Sequence, residues 1–264
     1  MIKKIIKKIP GSICLYHFLR KIIVCALYSG NTYTCPVCKK SFRKFDPACV
    51  SEATVIFEKN ITGGGQRENA LCPYCISTER LRLEYLYLQN HTNIFDSKNK
   101  VLHFAPEYCL EWLLKKNRNI DYYSGDIEKG TAMYIVDMTD ICFGDNEFDF
   151  VIFNHVLEHI FEDKKALKEV QRVLKPGGLA VITVPISQNT EATIETPTTS
   201  DEERLELYGQ KDHYRLYGAD FPNRLVSVGF DVTTFNAREN ISAESIKKYS
   251  LLEFETIFIG KKKK

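Results

Sequence analysis

The stretch EFDFVIFNHVLEHI, residues 147–160, constrains the fold of this chain more than any other. Residues 148–153 are almost all apolar strand formers, too apolar for a half-exposed strand and too few for a buried helix. The polar Asn154 and His155 follow directly, and the apolar residues at 156, 157 and 160 then have a helical period. Open α/β sheets bind ligands where buried parallel strands end in this way. We therefore expect a parallel sheet with a ligand site just after residue 153.

The segments that follow this strand extend the pattern. They read ALKEVQRVLKPGGLAVITVPI at 166–186 and DHYRLYGADF at 212–221. From about residue 101 to the end, the chain resembles the class I methyltransferases that use S-adenosylmethionine (SAM). The resemblance implies an α/β fold with a Rossmann-like seven-stranded sheet, helices on both faces and an antiparallel pair of last strands. It also implies SAM as the cofactor and methyl transfer as the reaction.

Four of the nine cysteines form two C-P-x-C pairs, Cys35 with Cys38 and Cys72 with Cys75. Two residues between thiolates place both sulfurs on one turn, and two such turns can complete a tetrahedral zinc site. A zinc ion with four sulfur ligands has no open position and is structural. Free or redox-active thiols are the alternative, although two symmetric pairs suit a metal better. Cys49 lies between the pairs, and we expect it to be a small buried hydrophobe.

The second cysteine pair belongs to the stretch ALCPYCISTERLRL at 70–83, which resembles a bacterial methyltransferase subgroup with a zinc-ribbon-like module ahead of the catalytic domain. We therefore predict three parts. Residues 1–30 form a basic amphipathic helical segment, residues 31–90 the zinc-ribbon-like module with a linking helix, and residues 91–264 the methyltransferase domain.

The net charge of +2 is unevenly distributed. Residues 1–90 hold 14 Lys and Arg against 6 Asp and Glu, and the remainder holds 22 against 28. The basic N-terminal part, residues 1–90, forms either a solvated face or a surface for an anionic partner. For residues 1–9, peripheral contact with a membrane and a solvated terminus are both open. The sequence has no apolar run long enough for a transmembrane helix and no signal-peptide pattern, so we expect a cytoplasmic protein, with association at the inner face of the membrane as the alternative.

The predicted cofactor site begins in the loop after the first strand of the methyltransferase domain. The resemblance places Ala105, Pro106 and Glu107 there, where the family normally has glycines. Asp126 comes 21 residues after Ala105, a spacing that suits hydrogen bonds to ribose hydroxyls. In the family, an acid after the third strand holds the adenine amino group and the next apolar residue packs on the purine. Asp137 and Met138 take those two roles by resemblance.

The catalytic candidates leave the central strand beside the expected methyl group. We predict that Asn154 positions the cofactor or acceptor, while His155, His159 and His213 are candidates for a general base. A buried, hydrogen-bonded role is favoured for His159. The H-x-x-E-H order at 155–159 also occurs in inverted zinc peptidases, but the strand-turn context argues against that class.

Substrate contact is predicted from the polar segment at 210–218, which follows a polar insertion at 188–210 typical of lids and substrate walls. The candidate residues are Asp212, His213, Arg215 and Tyr217. Alternatively, His213 and Arg215 bond Asp212 or the backbone and hold the segment in place.

Three functions remain open at this point. The first is methyl transfer to a small-molecule or glycan acceptor, and the second is methylation of RNA held by the basic zinc module. The third is a non-catalytic scaffold, because the cofactor loop lacks glycine.

Overall fold

The structure, a computed structural model, describes residues 23–51, 53–196 and 200–264. Residues 1–9, for which membrane contact and a solvated terminus are both open, lie outside these ranges, as does the rest of the predicted helical segment 1–30 up to residue 22. Among the residues that are described, none of the helices is both long and apolar enough to span a bilayer.

The secondary structure alternates short strands and helices along the chain. The strands are β1 Tyr33–Thr34, β2 Ser41–Phe42, β3 Asp46–Cys49, β4 Gln66–Leu71, β5 Asn99–Phe104, β6 Ile120–Asp126, β7 Tyr134–Ile135, β8 Phe148–Asn154, β9 Leu174–Thr183, β10 Ile194–Glu195, β11 Arg215–Leu216, β12 Phe230–Asn236 and β13 Thr256–Lys262. The helices are α1 Thr54–Glu58, α2 Glu79–His91, α3 Tyr108–Lys116, α4 Asp163–Val173, α5 Asp201–Tyr208, α6 Phe221–Ser227, α7 Ala237–Asn240 and α8 Ala243–Tyr249, with a 3-10 helix at Leu157–His159.

The main sheet has seven strands in the order β12-β13-β9-β8-β5-β6-β7. Its neighbours pair in parallel, except that β13 runs antiparallel to both β12 and β9. The predicted seven-stranded sheet with an antiparallel pair of last strands is therefore confirmed. Strand β8 lies near the middle between β5 and β9, and residues 148 and 150–153 within it are at most 3% exposed.

Helices cover both faces of this sheet, as predicted. Alternate strand residues point to opposite faces, so Ile152 of β8 joins one hydrophobic cluster and Val151 joins the other. On the first face, α2 and α3 pack with buried residues such as Leu83 and Leu110. On the second, α4 buries the apolar stripe that includes Val170.

One local element differs from the prediction. After β8 the chain forms only the 3-10 helix, which ends at Ile160 with an extended backbone (φ −104°, ψ 118°). The KPGG segment at 175–178 follows a later helix. Helix α4 ends at Val173 and Leu174 already pairs with Phe148, so the glycines lie inside β9, where Gly177 has φ 82° beside a register shift.

The cysteine-bearing region packs directly on the main sheet. Strands β1 and β2 form one antiparallel pair, and β3 and β4 form another. Its buried Cys35 and Phe42 belong to the same hydrophobic cluster as Val101 of β5 and Ile257 of β13. Cys49 is exposed, so the expectation that it is buried was wrong; it lies in β3, whose burial alternates, on the solvent side.

A buried arginine joins these parts. Arg82 of α2 is fully buried. Its guanidinium donates hydrogen bonds to the carbonyl oxygens of Ala70 (2.9 Å), Ser77 (2.7 Å), Tyr249 (2.7 Å) and Ser250 (2.5 Å). These acceptors come from β4, the second cysteine turn and the end of α8, so one side chain connects three segments.

We expect the substitution Arg82→Met to lower the free energy of unfolding by about 3–5 kcal/mol, since four buried carbonyl groups lose a charged donor. Urea denaturation followed by circular dichroism measures the change. The control is Arg118→Met at an exposed position, which should stay within about 0.5 kcal/mol of the parent. Equal, small effects of both substitutions would contradict the role assigned to Arg82.

Candidate active site

The carboxyl ends of β5, β6 and β8 meet at one edge of the sheet, and a cavity of about 240 Å³ opens there. Its walls come from the loops that follow these strands and β7. The lining residues are Phe104, Ala105, Gly125, Asp126, Ile127, Val136, Asp137, Met138, His155, Val156, His159 and Ile160.

Two residues with left-handed backbone turn the chain away from the sheet at this edge. Ala105 (φ 45°) directly follows β5, and His155 (φ 51°) directly follows the neighbouring β8. The position at which the family has glycine therefore does require a left-handed conformation, and here an alanine adopts it. Alanine is the smallest side chain that can be strained in this way.

The structure brings four of the predicted cofactor residues to this cavity, namely Ala105, Asp126, Asp137 and Met138. The Oδ1 atom of Asp126 accepts a hydrogen bond from the backbone N–H of Glu128 (2.8 Å). Asp137 Oδ1 accepts from the backbone and hydroxyl of the second residue after it. Among the described residues neither Oδ2 atom has a hydrogen-bond donor, so each carboxylate keeps one oxygen for a ligand.

The other predicted cofactor residues, Pro106, Glu107 and Asn154, do not line the cavity. Glu107 bonds His103 Nε2 (3.0 Å), while the buried Asn154 side chain donates to Glu84 Oε2 (2.6 Å) and accepts from the hydroxyl of Thr183 (2.7 Å). The direct contacts predicted for these residues remain predictions. In this structure, the Asn154 side chain fixes the end of β8.

A second cavity of about 230 Å³ adjoins the first, and His155 and His159 line both. Its other walls come from the segment between the cysteine pairs, from the start of α2 and from the end of the insertion. They are Val50, Ile56, Ile61, Thr62, Gly63, Gly64, Arg80, Glu158, Pro185, Tyr208, Gln210 and His213.

His155 is the group best placed between the two cavities. Its Nδ1 atom lies 3.2 Å from Glu158 Oε1, and its Nε2 atom is buried without a hydrogen-bond partner among the described residues. Burial, together with the nearby positive charge of Arg80, holds the pKa of His155 below its usual value. The imidazole is therefore neutral near pH 7 and able to accept a proton.

Glu158, His159 and His213 form a cluster on the wall of the second cavity. Burial opposes ionisation of Glu158, but the bond to His155 and the surrounding imidazoles outweigh it and lower the pKa of Glu158. Burial lowers the pKa of His213 to about 4. The cluster therefore combines a buried carboxylate with neutral imidazole at neutral pH.

Arg215 holds this cluster in place from behind. It is 3% exposed and donates to the carbonyl oxygens of Leu157 (3.0 Å), Ile160 (2.5 Å) and Phe161 (2.7 Å). These carbonyls flank Glu158 and His159. Tyr217 is fully buried and donates to Asp163 Oδ2 (2.8 Å).

Of the predicted substrate residues, only His213 lines a cavity. Asp212 lies beside it, with a 70% exposed side chain whose Oδ2 is 3.1 Å from His159 Nδ1. Arg215 fits the alternative in which it bonds the backbone and holds the segment in place, whereas the His213 ring has no such bond among the described residues and Tyr217 bonds the carboxylate of Asp163. Their contact with substrate stays a prediction.

The four cysteines of the C-P-x-C pairs lie together, and the second pair directly precedes the start of α2. Their sulfurs are all within 4.8 Å of one another, with 3.6 Å between Cys35 and Cys75 and 3.8 Å between Cys38 and Cys72. A tetrahedron of sulfurs about 2.3 Å from a central zinc has edges of about 3.8 Å. The spacing therefore fits a metal with four thiolate ligands.

Sequence reasoning missed Arg80 and Glu158 as site residues. The Nε atom of Arg80 has no partner in the described part of the chain, and the residue lines the second cavity. The sequence groups His155 with His159 in one motif. In the structure, His159 lies beside His213, with 4.7 Å between the two ring centroids. The H-x-x-E-H order already points to Glu158. The third member of the cluster, His213, lies 55 residues after Glu158 in the chain.

Comparisons with known proteins agree with this geometry. Residues 108–182, which run from α3 to β9, match a family described as "Methyltransferase domain". A demethylmenaquinone methyltransferase of Staphylococcus carnosus is 53% identical over 45 residues, 17% of this chain and 19% of that protein. An uncharacterized protein of Methanocaldococcus jannaschii is 42% identical over 55 residues, 21% of this chain and 27% of that protein. The chain thus spans between 19% and 27% of the length of the curated relatives it matches.

Solved structures are similar at a lower level. A Haemonchus contortus N-methyltransferase in complex with phosphomonomethylethanolamine and S-adenosylhomocysteine is 14% identical. The match covers 69% of this chain and 52% of that chain, with a TM-score of 0.45. Because this similarity is low, we assign the fold from the strand order of the chain itself.

The left-handed alanine gives a testable prediction. Ala105→Gly should raise the free energy of unfolding by about 0.5–1 kcal/mol, because relief of the strained backbone exceeds the entropy cost of glycine. Chemical denaturation measures it. The matched control, Ala243→Gly in the first turn of α8, should instead lower the value by about 0.5 kcal/mol. A loss of stability at residue 105 as large as in the control would show that Ala105 is unstrained.

Proposed function

The chain carries a class I, SAM-dependent methyltransferase domain, and on this premise we propose that the protein transfers the methyl group of SAM to a small-molecule or glycan acceptor. The observation that carries the proposal is the meeting of two cavities at His155 and His159. The first cavity lies at the carboxyl edge of the sheet, where open α/β sheets bind their ligands. The second adjoins it, and we assign it to the acceptor.

The residues of the first cavity fit the cofactor. The free carboxylate oxygen of Asp126 would accept hydrogen bonds from the ribose hydroxyls, and that of Asp137 from the adenine amino group. Met138 is 3% exposed and supplies an apolar surface for the purine. When bound, SAM provides a methyl group on a sulfonium, which is already an excellent leaving group.

The protein then contributes mainly alignment and exclusion of water. Holding donor and acceptor in line can supply about 7–11 kcal/mol of the barrier in favourable cases. Where the acceptor carries a proton, a general base adds about 10²–10⁴-fold. His155 suits that task, since it is neutral, faces both cavities and has an unpartnered Nε2 atom.

Two further observations support a small acceptor. The second cavity is small and enclosed on several sides by the segments at 50–64 and 208–213. In addition, one relative with a matching stretch is named for a demethylmenaquinone acceptor. Arg80, a cation on the wall, would suit an acceptor that bears an anionic group.

RNA is a second candidate acceptor, because a basic and aromatic groove of about 340 Å³ lies between the cysteine turns and α3. Lys39, Lys40 and Lys116 line it together with Tyr108 and Trp112, which are 56% and 49% exposed. Exposed rings can stack on bases while lysines contact phosphate. Binding of single-stranded RNA with a steep salt dependence would favour this acceptor, and binding that is absent at low salt would exclude it.

We also propose that Cys35, Cys38, Cys72 and Cys75 hold a structural zinc ion, that residues 31–90 form the zinc-binding module, and that residues 91–264 form the catalytic domain. The sulfur spacing supports the metal, and a zinc–thiolate cluster suits a reducing, cytoplasmic location.

The cofactor site is tested by Asp126→Asn. Loss of the charged acceptor for ribose hydroxyls should weaken SAM binding by about 10- to 100-fold, measured by isothermal titration calorimetry. The control is Asp121→Asn, an exposed aspartate of the same strand outside the cavity, which should bind SAM as the parent does. If the parent itself gives neither heat nor a thermal shift with SAM, the non-catalytic scaffold is the better description.

The zinc site is tested by Cys72→Ser. The parent should contain one zinc ion per chain by mass spectrometry of metals, and the variant should lose it together with at least about 3 kcal/mol of stability. Cys142→Ser, at an exposed cysteine outside the cluster, should keep both zinc and stability. Zinc-free parent protein of full stability would refute the assignment.

A further inference from the structure

The second cavity contains buried polar atoms that nothing in the described protein satisfies. Glu158 is fully buried; among the described residues its Oε1 atom has only His155 Nδ1 at 3.2 Å, and its Oε2 atom has no donor. His213 is 2% exposed, and neither of its ring nitrogens has a partner. Burying one such group without a partner costs on the order of 1–3 kcal/mol, and more for a charged one. Two residues left in this state at one place indicate a missing ligand.

Glu158, His159 and His213 can each direct one ligand atom to a common point. These atoms lie within 4.8 Å of one another. Ligand atoms about 2.1 Å from one ion are about 3.0–4.2 Å apart, so the cluster needs to contract by less than about 2 Å at its widest. The cluster is separate from the four cysteines, and none of its members belongs to the predicted zinc site.

The surroundings of His159 fix which nitrogen would bind. Its Nδ1 atom faces Asp212, 3.1 Å from Oδ2 and 3.3 Å from the backbone carbonyl oxygen. A histidine that donates one ring N–H to a carboxylate or carbonyl presents the other nitrogen as a ligand, which is the usual arrangement at metal sites. Glu158 is oriented in turn by His155, whose Nδ1 atom lies 3.2 Å from its Oε1 atom.

We propose that Glu158, His159 and His213 bind a divalent transition-metal ion, such as Mn²⁺, Fe²⁺, Co²⁺ or Zn²⁺, on the wall of the acceptor cavity. Two imidazoles and one carboxylate are a donor set for these ions rather than for Mg²⁺ or Ca²⁺, which prefer oxygen ligands. Three protein ligands leave open positions, in contrast to the closed set of four cysteines.

The role of this ion rests on the proposed function, whereas its binding does not. The three residues line the cavity assigned to the acceptor, so the ion would be within reach of an acceptor hydroxyl there. Coordination would lower the pKa of the hydroxyl, whose proton would pass to His155, the general base assigned above. The oxygen then forms a bond to the methyl carbon as the carbon–sulfur bond breaks, which gives a methyl ether and S-adenosylhomocysteine. The inferred acceptor class is an alcohol or phenol.

The test uses the full-length, zinc-loaded protein without SAM or acceptor. Mn²⁺ is titrated and the free ion counted by electron paramagnetic resonance, and Co²⁺ is titrated in parallel by visible absorption. Thiolate charge-transfer bands would report any Co²⁺ that enters the cysteine site. We expect one additional ion per chain, with weak bands typical of nitrogen and oxygen ligands.

Variants at the cluster and beside it decide the assignment. Glu158→Gln and His213→Gln should each abolish stoichiometric binding, and Asp212→Asn should weaken it about 10- to 100-fold by releasing the orientation of His159. Since the Asp212 side chain is 70% exposed, this variant stays informative if a buried substitution prevents folding. His91→Gln, an exposed histidine outside both cavities, should bind as the parent does.

The inference is overturned if neither Mn²⁺ nor Co²⁺ binds at millimolar concentration, or if the cluster variants and Asp212→Asn bind like the parent. Calorimetry with SAM on the same preparations separates the two claims. If the protein binds SAM but no metal, the metal site is refuted and the proposed function stands. If it binds the metal but not SAM, the metal site stands and the proposed function is refuted.

Discussion

Parallel pairing of β5 with both β6 and β8 is the constraint on which the site depends. It brings three carboxyl ends to one edge of the sheet. The chain leaves β5 toward β6 on one side and returns to β8 on the other, so the loops after β5 and β8 diverge and leave a crevice. Ala105 and His155 turn the chain away from the sheet immediately, with left-handed backbones, and the first cavity lies between the segments they begin.

The second cavity depends on contacts between segments that are far apart in the chain. Ser51 donates to the carbonyl oxygen of Gly209 across the cavity wall, and the buried Arg215 connects β11 with the 3-10 helix. Arg215 bonds several backbone carbonyls at once, which the five N–H donors of a planar guanidinium allow and the single ammonium of lysine does not. Arg215 is therefore a positioning residue for the cavity wall, whereas Arg82 connects α2 with β4 and the end of α8.

The sheet and the cysteine cluster could be predicted from sequence because their signals are local. The apolar run of strand length and each C-P-x-C pair lie within a few residues, and the acid Asp126 follows Ala105 at a fixed spacing of 21 residues. The wall of the second cavity could not, since Arg80, Glu158 and His213 meet only after the chain has folded. Local backbone also escaped prediction: a single 3-10 turn follows β8 where a helix was expected. Cys49 was misjudged because alternation along a short strand fixes its side, which composition does not reveal.

The wall formed by Val50, Ile56, Ile61 and Gly64 belongs to the segment between the two cysteine pairs. The cysteine-rich region is therefore not an independent appendage that could be exchanged by recombination without effect on chemistry. Under the proposed function, a graft of this region onto another methyltransferase sheet would carry part of the acceptor-cavity wall with it. Changes in that wall and retention of the four cysteines would then be coupled.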